Sequence, residues 1–90
     1  MTEQELADAL RSVPLPEPPE VTVTRDRFRY IAIVIAPAFE GMNEAERQRI
    51  VWRQIFEKFQ LSELREIEMV LTDSPSEVAR YEAGLPVEQP

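Results

Sequence analysis

The chain reads as an α+β domain: a three-stranded mixed sheet with helices on one face, in the order αββααβα. Three observations predict this. Residues 29–36 (Arg-Tyr-Ile-Ala-Ile-Val-Ile-Ala) are β-branched and apolar almost throughout, and Pro37 ends the run by withdrawing a backbone donor. A sharp turn at Gly41 then opens the longest helical pattern, over residues 44–60. A second apolar run, 67–72, follows within the next few residues. Strand, helix, strand over so short a span implies a right-handed crossover and a parallel pair.

The elements follow in order. Thr2 and Glu5 form a capping box, and Leu6, Ala9, Leu10 and Val13 recur at helical spacing, which predicts a short helix over 3–12. A helix this short is marginal alone and should dock on the domain. Residues 13–20 hold four of the eight prolines and are expected to form an extended connector. Pro16 and Pro19 also have the P-x-x-P spacing of a groove ligand, but a stiff linker is the preferred reading. Residues 21–24 alternate as a half-buried strand. Residues 25–28 reverse the chain without the Gly or Asn that a tight hairpin turn favours.

In the strand over 29–36, Ile31, Ile33 and Ile35 share one face, and Phe28, Tyr30, Ala32 and Val34 share the other. The isoleucine face is expected to be core. On the long helix, Asn43 caps and Glu46 completes the N-terminal signature. Val51, Trp52, Ile55, Phe56 and Phe59 fall within about 140° of arc, with Ile50 stranded on the polar side. Residues 61–66 are read as a helical turn capped by Ser62. In the strand over 67–72, Ile67, Met69 and Leu71 are expected inward, and Glu68, Val70 and Thr72 outward. Ser74-Pro-Ser-Glu77 starts a last helix running to about Ala83 and stopping at Gly84. The chain therefore divides into an N-terminal helix and connector (1–20), an α/β domain (21–84) and a loose tail (85–90).

Composition excludes several functions. With no Cys there is no disulfide and no thiolate nucleophile, and with no His the commonest general base and zinc ligand are gone. Neighbouring carboxylates such as Glu44 and Glu46, or Glu66 and Glu68, lack a partner of catalytic type, and Lys58 is the only lysine. No enzyme activity, cofactor or metal is expected. Net charge is −7, divided as −4 over residues 1–20, +2 over 21–65 and −5 over 66–90. The summed field disfavours nonspecific binding to nucleic acid or anionic membrane. No apolar run approaches the ~20 residues of a spanning helix. The acidic start, Met-Thr-Glu-Gln-Glu, is unlike a targeting peptide, so a cytoplasmic location is expected.

Four segments carry a family likeness: Ala38-Phe-Glu-Gly41, Arg47-Gln-Arg-Ile-Val-Trp52, Ile67-Glu-Met-Val-Leu71 and Ser74-Pro-Ser-Glu77. Together, over residues 21–80, they resemble the BolA family, whose αββααβα fold is related to type II KH domains. The resemblance implies iron–sulfur traffic with monothiol glutaredoxins, through a C-terminal histidine and a His or Cys in the first hairpin. Here Glu68 stands at the histidine position, the hairpin is shortened to Arg25-Asp-Arg-Phe28, and Gln48 replaces the middle residue of Arg-His-Arg. Carboxylates are poor ligands for soft iron clusters, so cluster ligation is expected to be lost. The family's link to transcriptional regulation suggests nucleic-acid binding, but the Gly-x-x-Gly clamp of KH domains is missing, since Gly41 and Gly84 are the only glycines.

Two sets of residues are candidate sites. Arg47, Arg49 and Arg53 on the helix, with Arg25, Arg27 and Arg29 on the hairpin, could hold phosphates beside Phe28 or Tyr30. The preferred alternative pairs the helix arginines with Glu46 and Glu57 on a solvated face. The second set is a sheet face left bare by too few helices: Phe28, Tyr30, Val34, Glu68 and Val70, with Ala32 between them. Such a face marks a protein partner or a homodimer, unless the first or last helix wraps over it. The expected function is a small regulatory adaptor acting through protein contact. A KH-like nucleic-acid binder is the runner-up, and a divergent glutaredoxin partner in iron–sulfur trafficking is a third reading.

Overall fold

The computed structural model describes residues 1–84 and carries the expected element order. Helix α1 (Glu3–Arg11) precedes strands β1 (Glu20–Asp26) and β2 (Arg29–Ile35). A single tight helical turn at Pro37–Phe39 leads to α2 (Glu44–Lys58), α3 (Leu61–Leu64), β3 (Ile67–Asp73) and α4 (Pro75–Glu82). The sheet order is β1-β2-β3. β1 pairs antiparallel with β2, and β3 pairs parallel with it, as the crossover requires. The expected loose tail at 85–90 lies outside the described residues.

Helix starts follow local chemistry. Thr2 accepts a hydrogen bond from the Glu5 amide at 3.1 Å, Asn43 from the Glu46 amide at 2.9 Å, and Ser74 from the Glu77 amide at 3.3 Å. Pro75 occupies the first turn of α4, and the Glu77 carboxylate accepts from the Ser74 amide at 2.7 Å. One cap differs from expectation. Ser62 lies inside α3, whose first turn is closed by Glu63 accepting from the Gln60 amide at 3.1 Å.

Among the described residues the core occupies one side of the sheet. Leu6 and Leu10 of α1, Val51 and Ile55 of α2, and Phe39 meet Tyr30, Ala32 and Val34 of β2 and Ala36 just beyond it, all essentially inaccessible to solvent. Burial of each large apolar side chain contributes about 1.5–3 kcal/mol. Helix α1 is thus an integral part of the domain. The connector lies against it too: Val13 and Pro19 are buried and Leu15 packs on the core, so Pro19 is not free to act in a P-x-x-P ligand.

The covered side is the opposite of the one expected. Ile31, Ile33 and Ile35 are only partly buried, while the face of Tyr30, Ala32 and Val34 is closed. The reason is volume. The two helices bring the bulk, leaving room beneath them for alanine at 32 and 36. Tyr30 can be buried because its hydroxyl donates to the Met1 carbonyl at 2.9 Å. β3 departs as well. Register shifts between the Tyr30–Ile67 and Ile31–Met69 pairs, leaving Glu68 as an extra, unpaired residue. Ile67 is therefore inward as expected, but beyond the bulge Val70 and Thr72 are buried and Met69 and Leu71 face out.

Helix α2 is turned about its axis relative to the apolar arc of the sequence. Arg47, Val51, Gln54 and Ile55 are buried, and Ile50 packs on the core rather than sitting stranded. Phe56 is 58% exposed and stacks, tilted, against Trp52 with ring centroids 5.9 Å apart.

Candidate partner-binding site

The open side of the sheet is built by β2 and β3. Alternation along β2 places Ile31, Ile33 and Ile35 there, and the register sets Met69 beside Ile31 and Leu71 beside Ile33. Met69 and Leu71 are 43% and 44% exposed. β1 contributes only Thr22 and Thr24 to the middle of this face, opposite Ile33 and Ile31. Helices α1 and α2 lie on the other side, and neither α3 nor α4 packs broadly on the sheet.

Of the five residues expected on a partner face, Tyr30, Val34 and Val70 belong instead to the core. Hydropathy alone assigns them to the surface, because the greasier isoleucines claim the interior. Phe28 and Glu68 are exposed, but at the end of the sheet. There Asp26, Arg27, Phe28, Arg29 and Glu68 line a cavity of about 310 Å³. Phe28 is 80% exposed, at the tip of a two-residue hairpin loop. The other loop residue, Arg27, takes φ +59°, a left-handed conformation costly to a residue with a side chain.

The family resemblance implies cluster ligands from the hairpin and from the position of Glu68, and both lie at this end. The residues present do not fit such a cluster: two carboxylates, Asp26 and Glu68, flanked by guanidinium groups supply hard oxygen donors and no thiolate or imidazole. Among the described residues no group of three or more His, Cys, Asp or Glu side chains is placed to hold a metal ion.

The arginines separate into three environments. Arg25 lies over the Tyr30 ring, 5.3 Å from its centroid, while Arg27 and Arg29 stay exposed around the hairpin cavity. Arg49 and Arg53 are exposed and line a cavity of about 300 Å³ with Pro14, Ile50, Gln54 and Glu57. The expected pairs with Glu46 and Glu57 do not form; Glu46 instead accepts from Asn43.

Arg47 is no surface contact at all. It is 6% exposed, and its guanidinium donates to the Met42 carbonyl (2.9 Å), the Phe39 carbonyl (2.7 Å), the Thr72 carbonyl (3.1 Å) and the Glu77 carboxylate (2.6 Å). It also lies 5.6 Å over the Phe39 ring. Burial pushes the Glu77 carboxyl up, but the Ser74 amide and the Arg47 guanidinium outweigh it and hold Glu77 below the usual carboxylate range. Sequence reading missed this clasp because three of its four acceptors are backbone carbonyls and the fourth lies thirty positions away.

Gln48, between Arg47 and Arg49, has a comparable inward task. It accepts from the Trp52 indole at 3.0 Å and donates to the Val70 carbonyl at 2.8 Å, tying α2 to β3. Neither residue points to solvent chemistry.

No protein-family model matches the chain, and no curated protein does. Solved structures do. A BolA protein homologue from Coxiella burnetii superposes with a TM-score of 0.64 and 21% identity, over 89% of this chain and 99% of that one. A Bol-like protein from Babesia bovis gives 0.57 and 22%, over 91% and 94%. Likeness at this identity establishes architecture. The chain has a BolA-like fold, in a divergent form that carries neither cysteine nor histidine.

Proposed function

We propose that this protein is a non-enzymatic adaptor or regulatory domain that works through contact with another protein, with cluster ligation lost. One observation carries the proposal: five apolar side chains on two adjacent strands, Ile31, Ile33, Ile35, Met69 and Leu71, stand side by side on the side of the sheet away from helices α1 and α2. An apolar array of this kind on a small domain marks an interaction surface. The fold supports the same reading, as do the absence of thiol and imidazole groups and the acidic net charge. No helix among the described residues is long and apolar enough to cross a membrane. We place the protein in the cytoplasm.

The test is affinity capture from nuclease-treated lysate at high salt, comparing the native chain with a Met69→Gln/Leu71→Gln variant. Both positions are already well exposed, so the variant should retain the native melting temperature. A partner retained by the native chain and lost by the variant is the expected result. A partner lost on nuclease treatment, and sensitive to Arg49→Ala/Arg53→Ala instead, would transfer the function to nucleic acid.

A further inference from the structure

We infer that the occupant of the open sheet face is a single amphipathic helix of another protein, about ten residues long, with basic residues beside its apolar stripe. This rests on the adaptor reading and narrows it to one class of partner.

Width supplies the first argument. On the covered side three strands support two helices, α1 against β1 and β2 and α2 against β3. On the open side the apolar residues stand only on β2 and β3, while β1 presents Thr22 and Thr24. Two strand columns ~5 Å apart, with their side chains, match the ~10–12 Å breadth of one helix. The column from Ile31 to Ile35 is ~13 Å long at ~3.3 Å per residue, which a helix of about nine or ten residues at 1.5 Å per residue covers. A second copy of this chain would stack three strands on three. That would bury the threonine column and bring together two chains of net charge −7 each.

Charge supplies the second. Register places Glu20 and Asp73 on either side of Ile35, with no basic residue in that row. At the opposite end Asp26 and Glu68 stand with Arg27 and Arg29, a mixed set. The stripe is thus bounded by acid alone only at the Ile35 end. Burial first, and then the nearby Glu77 and Glu44, hold the Asp73 carboxyl above its ordinary range, so a cation arriving there favours its ionised form. Lysine or arginine on the helix end lying over Ile35 meets this requirement, and acidic residues there are repelled.

Three fluorescein-labelled fourteen-residue peptides test the inference by anisotropy against the full chain. One has a leucine stripe flanked by lysine, one the same stripe flanked by glutamate, and one the lysine composition scrambled so that no stripe forms. The expected result is binding of the first alone. Its affinity should fall roughly tenfold or more in Met69→Gln/Leu71→Gln, because apolar area equivalent to several methylene groups is no longer buried. It should fall several-fold in Glu20→Gln/Asp73→Asn and with added salt. Equal binding of the lysine and glutamate peptides overturns the basic assignment while leaving the face as a docking site. Equal binding of the scrambled peptide, or no binding of any, overturns the helix, and the lysate capture above still decides the adaptor reading on its own. A native dimer in sedimentation that becomes monomeric in Met69→Gln/Leu71→Gln replaces the helix with a second copy.

Discussion

Replacing Arg47 with methionine should cost about 3–4 kcal/mol of folding stability. Methionine preserves much of the aliphatic packing and removes the guanidinium, so the loss reports the clasp. Two of the four acceptors, the Phe39 and Thr72 carbonyls, receive buried bonds from Arg47. Each left without a donor costs about 1–3 kcal/mol. The Met42 carbonyl and the Glu77 carboxylate are nearer to solvent, with Glu77 29% exposed, and recover part of their bonding from water. Against these losses stands the desolvation that the native guanidinium suffers and methionine does not. For a domain with roughly 5–15 kcal/mol in hand, a net loss near 3–4 lowers the melting temperature by roughly 12–30 °C.

The assay is urea unfolding followed both by far-ultraviolet circular dichroism and by the fluorescence of Trp52, the only tryptophan. Coincident transitions license the free-energy comparison. Arg47→Lys should recover little, because one ammonium cannot reach four acceptors spread over the Pro37–Phe39 turn, the following loop, β3 and α4. A loss under about 1 kcal/mol in Arg47→Met, well below the ~3–5 expected for a broken buried pair, would refute the reasoning. It would mean that water replaces the guanidinium freely and that Arg47 is available to an outside ligand after all.

Other expectations follow from single residues. Arg27→Gly should raise stability by about 0.5–1 kcal/mol, since glycine takes the left-handed conformation at φ +59° without steric cost; chemical denaturation would register it. Tyr30→Phe should lose about 1 kcal/mol with the hydroxyl bond to Met1, whereas Tyr30→Asp should prevent folding, as thermal melts would reveal. Asp73→Asn should raise the melting temperature at neutral pH. The Asp73 carboxyl is held above its ordinary 3.8 by burial and then by Glu77 and Glu44, so its ionised form disfavours the fold at high pH. The gain should shrink as pH falls through the raised native value and vanish below 3.8, in melts recorded across acid pH. Arg49→Ala/Arg53→Ala should leave the melt within about 0.5 kcal/mol of native, since neither residue is ion-paired among the described residues. Titration with DNA and RNA oligomers across salt should be weak and unchanged by that pair.

What could be read from sequence was what is local. The starts of α1, α2 and α4 are set by a side chain and an amide three residues apart, so Thr2, Asn43 and Ser74 announce themselves. Parallel pairing of β3 with β2 follows from chain connectivity. Arg47 illustrates the opposite case. A helix arginine close in sequence to Glu46 reads as part of a solvated, paired face, yet Arg47 is buried and its 2.6 Å partner is Glu77. Which sheet face is covered was equally hidden, because hydropathy ranks isoleucine above alanine and tyrosine without knowing how much volume the helices bring.

The bulge at Glu68 ties these points to function. A strand with strict alternation that placed Ile67 inward would also place Met69 and Leu71 inward, and the open face would then have only its β2 column. One extra residue reverses the phase. Ile67 stays under the helices, Val70 and Thr72 follow it inward, and Met69 and Leu71 are delivered beside Ile31 and Ile33. Thr72 tolerates its burial because its hydroxyl donates to Glu44 at 2.7 Å, and Val70 because it fits beside Ala32. The second apolar column therefore comes from a register shift at Glu68. A carboxylate ill-suited to a soft cluster and the register shift that builds a two-strand apolar face meet at one residue, and the proposed adaptor role uses both.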